Sequence, residues 1–325
     1  MDRLDVTETF HSIMFPGHMH TKDSLNYATN FKFQDTDIVI ATYPKSGTTW
    51  MQEIITLVLR KGDPTIAQTQ PNWARAPWLE QYYCADVLKA STGPRIITTH
   101  LPYHLLALAL QHSKAKVIYV ARNLKDVSVS YYHFHKMANF LPNPGTFSDF
   151  LNEFLKGAVH YGSWFDHVKG WTSHAKDIQN FLDVTYEEMC QDLHGAVQKV
   201  SCFLQCPLTE DELNLAQKHC SFNSMKENVM VNYTLIPQKI MDHSQGKFMR
   251  KGQVGDWKNT FTKDQSRLVD DVYTSQMPDS SLLFKWECPE KTVRPLMTIN
   301  TTEPHTPRVC DILHFTFENV SNISH

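Results

Sequence analysis

The stretch Asp37-Ile38-Val39-Ile40-Ala41-Thr42-Tyr43-Pro44-Lys45-Ser46-Gly47-Thr48-Thr49-Trp50 changes character twice. Its first half is continuously apolar and rich in β-branched residues, the mark of a strand buried on both faces. Pro44 to Gly47 then make a turn. From Thr48, the apolar residues Trp50, Met51, Ile54, Ile55 and Val58 recur at helical spacing. A strand, turn and helix of this composition suit a phosphate. Gly47 permits close backbone approach, and the unpaired amides of the helix's first turn face an anion. Lys45 adds a point charge, and Ser46, Thr48 and Thr49 add hydroxyls. The turn reads as P-loop-like.

Three more runs read as strands: Arg95 to His100, Lys116 to Ala121, and Phe181 to Tyr186. Helical patterns separate them. After Arg122 come Val127, Val129, Tyr131 and Phe134, and between Thr146 and Asn180 lies an aromatic face of Phe147, Phe150, Phe154, Trp164 and Phe165. The expected class is α/β, a single domain with a central parallel sheet flanked by helices. With 325 residues, 42% of them hydrophobic, the chain can bury a large core. A net charge of -3 argues against a nucleic-acid partner. No apolar run approaches the about 20 residues that span a bilayer, and Met1 to Asp5 does not open a signal peptide. Seven cysteines without regular spacing suit reduced thiols in the cytoplasm.

The turn is not a nucleoside-triphosphate loop, because the Walker pattern places its Lys after a second Gly. The strand Lys116 to Ala121 leads to Arg122-Asn123, where an NTPase offers an Asp for magnesium. An Arg there favours a second anion held by direct hydrogen bonds. Ser130 follows roughly two helical turns later. A third basic segment is Arg250-Lys251-Gly252, followed by Gly255-Asp256-Trp257-Lys258-Asn259. Together the three suit a ligand with two separated phosphate groups. The His and Cys clusters lack a four-ligand spacing, so no metal is assigned.

These three segments, with Tyr132-His133-Phe134, resemble the signatures of cytosolic sulfotransferases, in the family's order, from about Phe31 to Trp286. The resemblance implies 3′-phosphoadenylyl sulfate as donor, adenosine 3′,5′-bisphosphate as product, and no metal. It implies that Lys45, Ser46, Gly47, Thr48, Thr49 and Trp50 wrap the phosphosulfate, with Trp50 stacked on adenine. Arg122, Ser130, Arg250, Lys251 and Gly252 would hold the 3′-phosphate. Tyr186 and the segment Cys220, Ser221, Phe222, Asn223, Ser224 and Met225 would lie at the adenine, Phe222 as its second stacking face. His100 matches the catalytic base, and an ordinary pKa near 6.5 would suit that task. Lys45 would stabilise charge on the departing phosphate oxygen.

On this reading residues 1–30 are an N-terminal segment, 31–288 the sulfotransferase domain, and 289–325 a poorly ordered tail in which Ile312 to Phe317 offers a short strand. The acceptor is a small lipophilic hydroxyl compound, whether phenol, steroid or other alcohol. Trp73, Trp78, Tyr132, Phe134, Tyr233 and Met241 are candidates for its pocket. Asn228 to Gly255, long and without period, reads as a lid. Thr98 stands where many family members have Lys, and Cys220 where Thr is common. The family's dimer pattern keeps Lys258 and Thr262 but has Lys263 and Arg267 where Val and Glu belong, so homodimerisation by that segment is in doubt. The rivals are a non-catalytic bisphosphate binder, opposed by the presence of His100 and Lys45, and a kinase, opposed by the missing magnesium carboxylate.

Overall fold

Four parallel strands, in the order β4-β3-β5-β6, form the central sheet: β3 (Ile38–Thr42), β4 (Ile96–Thr99), β5 (Lys116–Ala121) and β6 (Asn180–Thr185). All five residues of β3 are buried, as expected of a strand covered on both faces. The period of two sorts them. Val39 and Ala41 join an aromatic cluster with Tyr119, Trp164 and Trp171, while Ile38 and Ile40 pack with Met51, Ile54, Ile55 and Val58 of the helix Thr48–Leu59. The helices Leu124–Met137 and Trp164–Ser173 thus cover one face, and Thr48–Leu59 with Leu193–Leu204 the other.

The chain leaves β3 to one side for β4, then crosses to the other side for β5. Ligands bind at such a switch point, outside the carboxyl ends of the strands. Lys45, His100 and Arg122 each follow one of those three ends. The topology gathers them before any side chain is considered.

The computed structural model describes residues 4, 6–91, 93–278 and 282–287, all within one unit, Met1–Cys288. The expected tail at 289–325 and its strand lie outside the described residues. Residues 1–30, given no elements in the sequence reading, contain an antiparallel hairpin, β1 (Thr7–Phe10) and β2 (Ile13–Pro16). The helix Lys22–Thr29 follows, capped by Thr21 and Ser24. Between 228 and 255 the chain makes only a 3₁₀ turn at His243–Gln245 and an antiparallel bridge from Met241 to Ala138. In the degraded dimer segment, Lys258 pairs with Glu287 at 2.7 Å and Thr262 caps the helix Lys263–Gln276.

Candidate active site

Past Thr42 the backbone turns into the left-handed region twice, at Lys45 (φ 68°) and Gly47 (φ 110°). Only glycine suits the second position, since a Cβ there would lie 3.0 Å from the Tyr186 ring. At Lys45 the conformation is strained. Arg122 Nη1 donates to the Lys45 carbonyl at 3.2 Å and helps to hold it. The helix Thr48–Leu59 starts without a side-chain cap. Ser46 Oγ and Arg122 Nε are both buried without a hydrogen-bond partner. The Arg122 donor, on the cavity wall beside an uncapped helix start, fits an anionic phosphosulfate. Lys45 Nζ sits 4.3 Å from the centre of the Phe134 ring and 3.9 Å from that of Phe248. Burial, and then the charges of Arg122 and Arg250, bring its pKa down to about 7.

The side chains expected to hold a second anion are braced from several elements. Arg122 Cζ lies 4.0 Å over the Tyr186 ring, and its Nη2 donates to the Gln253 carbonyl at 3.3 Å. Arg250 pairs with Asp256 at 2.5 Å. Asp126, in the first turn of the helix Leu124–Met137, accepts from the amides of Gly255 (2.8 Å) and Trp257 (3.1 Å). Glu187 accepts from the Asn123 amide at 2.9 Å, which ties the helix after β6, Tyr186–Gln191, to the turn after β5. Gly252 has φ 66°, and a Cβ on it would come 2.1 Å from Phe222.

Arg122, Ser130, Arg250, Lys251 and Gly252 line one cavity with Lys45 and Gly47 to Trp50. Tyr186, Phe222 and Met225 also line it. Trp50 stands edge-on to Tyr186 and donates from Nε1 to the Cys220 carbonyl at 2.8 Å. Ser46, Cys220, Ser221, Asn223 and Ser224 are not among the lining residues. Ser221 caps the helix Phe222–Glu227, and Ser224 Oγ donates to the Lys218 carbonyl at 2.8 Å.

His100 lines the same cavity. Its Nδ1 lies 2.8 Å from the Thr42 carbonyl, which can only accept. The ring proton is therefore on Nδ1, and Nε2 keeps its lone pair. The His100 amide donates to Glu80 Oε1 at 2.8 Å. The ordinary pKa expected from sequence does not hold. Burial draws it to about 4, with Thr42 opposing and Lys45 adding to the fall, so the ring is an unprotonated base at neutral pH.

The cavity, of about 550 Å³, continues from His100 into an apolar chamber. Of the six pocket candidates, Trp73, Trp78, Phe134, Tyr233 and Met241 line it and Tyr132 does not. Tyr132 packs on Phe147 and Phe150 and donates to the Gly145 carbonyl at 3.2 Å; its neighbour Tyr131 faces the cavity instead. Among the described residues, no three of His, Cys, Asp and Glu gather to hold a metal ion, and no helix is long and apolar enough to cross a membrane.

A sulfotransferase domain profile matches residues 35–281. Mouse sulfotransferase 2B1 is 47% identical over 88% of this chain and 84% of its own length. The chain belongs to the sulfotransferase family. Guinea pig 3-alpha-hydroxysteroid sulfotransferase is 41% identical over 87% of this chain and 99% of its own. Among solved structures, mouse sulfotransferase SULT7A1 complexed with PAP superposes with a TM-score of 0.70 at 34% identity, covering 84% of this chain and 95% of that one. Retinol dehydratase in a complex with retinol and PAP has the same fold, with a TM-score of 0.74 at 23% identity over 84% and 89%.

In this sulfotransferase the walls that sequence reasoning missed include part of the N-terminal segment and the run Gln81, Tyr82 and Tyr83. Pro16, His18, Met19 and His20 line the chamber, as do Tyr161 and Phe248. Tyr161 had one legible signal, its position before Gly162 between two helical patterns. His20 had none, since a His on an unassigned segment has no face to be read from.

Proposed function

We propose that this sulfotransferase moves the sulfuryl group from 3′-phosphoadenylyl sulfate to a hydroxyl of a small lipophilic acceptor of steroid type. One observation carries the reading: a buried His100 with Nδ1–H fixed on Thr42 offers Nε2 where an anion cradle meets an apolar chamber. The donor supplies a sulfuryl group on a phosphate that can leave. His100 Nε2 takes the proton of the acceptor hydroxyl as its oxygen bonds to sulfur. Lys45, drawn from between Phe134 and Phe248, stabilises charge on the phosphate oxygen. Arg122 and Arg250 fix the 3′-phosphate, and Trp50, Tyr186 and Phe222 hold the adenine. The apolar rings exclude water and position the acceptor.

The steroid class rests on the named relatives and on a chamber walled by Trp78, Tyr233 and Met241. Labelled donor tested against hydroxysteroid and phenol panels decides it, because phenols turned over faster than every steroid would sink the class. His100→Ala should lower turnover about 10²- to 10⁴-fold while adenosine bisphosphate still binds, by calorimetry. A non-catalytic binder would transfer nothing to either panel.

A further inference from the structure

The acceptor chamber carries a hydrogen-bonded pair beside His100, His20 and Tyr161, that the transfer chemistry leaves unused. Both line the cavity, and His20 is only 1% exposed. His20 Nδ1 lies 2.9 Å from the Pro16 carbonyl. A carbonyl only accepts, so that nitrogen bears the proton and Nε2 has the lone pair. Tyr161 Oη, 3.2 Å from Nε2, therefore gives its one proton to His20. What remains on the Tyr161 oxygen is acceptor capacity alone. The same logic leaves an acceptor at His100 Nε2, and the centres of the His100 and Tyr161 rings are 5.2 Å apart, edge to face.

Tyr161 is held in place at a cost. Its φ of 67° is strained for a bulky side chain. Its amide donates to the Met14 carbonyl at 2.8 Å, and Tyr43 Oη donates to Gly162 at 2.9 Å. The N-terminal hairpin and Tyr43, just past β3, thus fix the Tyr161–Gly162 backbone from two sides.

We propose that Tyr161, locked by His20, is a specificity-determining residue that accepts a hydrogen bond from a second O–H or N–H donor of the acceptor molecule. That donor sits on the carbon adjoining the one that bears the reacting hydroxyl. The inference rests on the reading of this chamber as the acceptor site with His100 as base. A molecule with two neighbouring hydroxyls places one proton on His100 Nε2 and the other on Tyr161 Oη. A methoxy group in the second position sets lone pair against lone pair and is rejected.

The test uses the full chain with 3′-phosphoadenylyl sulfate and three acceptors on one ring skeleton. They carry one hydroxyl, that hydroxyl with an adjacent hydroxyl, and that hydroxyl with an adjacent methoxy group. Wild type should favour the adjacent hydroxyl over the methoxy in kcat/KM by roughly tenfold, the worth of one net hydrogen bond. Tyr161→Phe removes the oxygen and brings that ratio towards unity. His20→Phe frees the phenolic proton to turn into the chamber, so the methoxy compound gains and the ratio falls or inverts. Reading the ratio within each variant cancels any loss of folded protein. A ratio near unity in wild type, or one that neither variant moves, overturns the proposal. If wild type sulfates none of the three while still binding adenosine bisphosphate, the acceptor-site reading itself fails and takes the proposal with it.

Discussion

Lys45 is placed where a cation is wanted and hard to keep. Burial and the charges of Arg122 and Arg250 bring its pKa to about 7, so the free chain holds it charged below that pH and increasingly neutral above it. A bound phosphate favours the charged form and raises the pKa. Adenosine bisphosphate should therefore bind with proton uptake at pH 8, and its affinity should fall as pH rises through about 7. Calorimetry in buffers of different ionisation enthalpy reads the uptake, and Lys45→Met should abolish it; equal uptake in both proteins would assign the proton elsewhere. Gly252 supports a second prediction. Gly252→Ala sets a methyl 2.1 Å from Phe222 on a left-handed backbone, so it should cost about 1–3 kcal/mol of stability and weaken the bisphosphate. Unchanged melting and binding would mean that the loop shifts freely. Neither the Lys45 nor the His100 pKa was legible in sequence, because desolvation comes from residues far along the chain. The positions themselves were legible, at the ends of strands buried on both faces.

At the scale of elements, the segment from 228 to 255 joins the two halves of the site. Tyr233 and Phe248 line the chamber with ring centres 4.1 Å apart, and Arg250 to Gly252 line the cavity's basic end. A loop with contacts at both ends can be ordered by the ligand at one of them. Hydrogen exchange across it should slow when the bisphosphate is added, while Ile38 to Ala41, already within the sheet, changes little. Identical exchange with and without saturating ligand would make it a permanently packed loop. Of the four central strands, β3 and β5 were legible as continuous apolar runs, while β4 and β6, which carry Thr98, Thr99 and Asp183, gave a weaker signal. The hairpin β1–β2 was not. Its strands have mixed burial, and its turn puts His11 (φ 47°) and Ser12 (φ 64°) in the left-handed region, where Asn-Gly is the recognisable signal.

For the whole molecule, buried ionisable groups set the response to acid. Burial lowers the pKa of His20 and His167 to about 3 and of His100 to about 4, against an ordinary 6.5. Below pH 6.5 the unfolded chain therefore binds protons that the folded one refuses, and stability falls. Glu80 and Glu187, raised by burial to about 7 and about 6, act in the opposite sense until their unfolded value of 4.5 is passed. The melting temperature should thus fall gently from pH 6.5 to 4.5 and steeply below. A uniform slope through pH 4.5 would contradict this balance. The hairpin region has a consequence for descent as well. Pro16, His18, Met19 and His20 help wall the apolar chamber proposed for the acceptor, whereas the turn proposed to cradle phosphate begins beyond β3. On the proposed reading, a recombination joint near Asn30 would let a descendant inherit new acceptors with the donor machinery untouched. A chimera with a relative's residues 1–30 should keep its bisphosphate affinity and reorder the compounds it modifies.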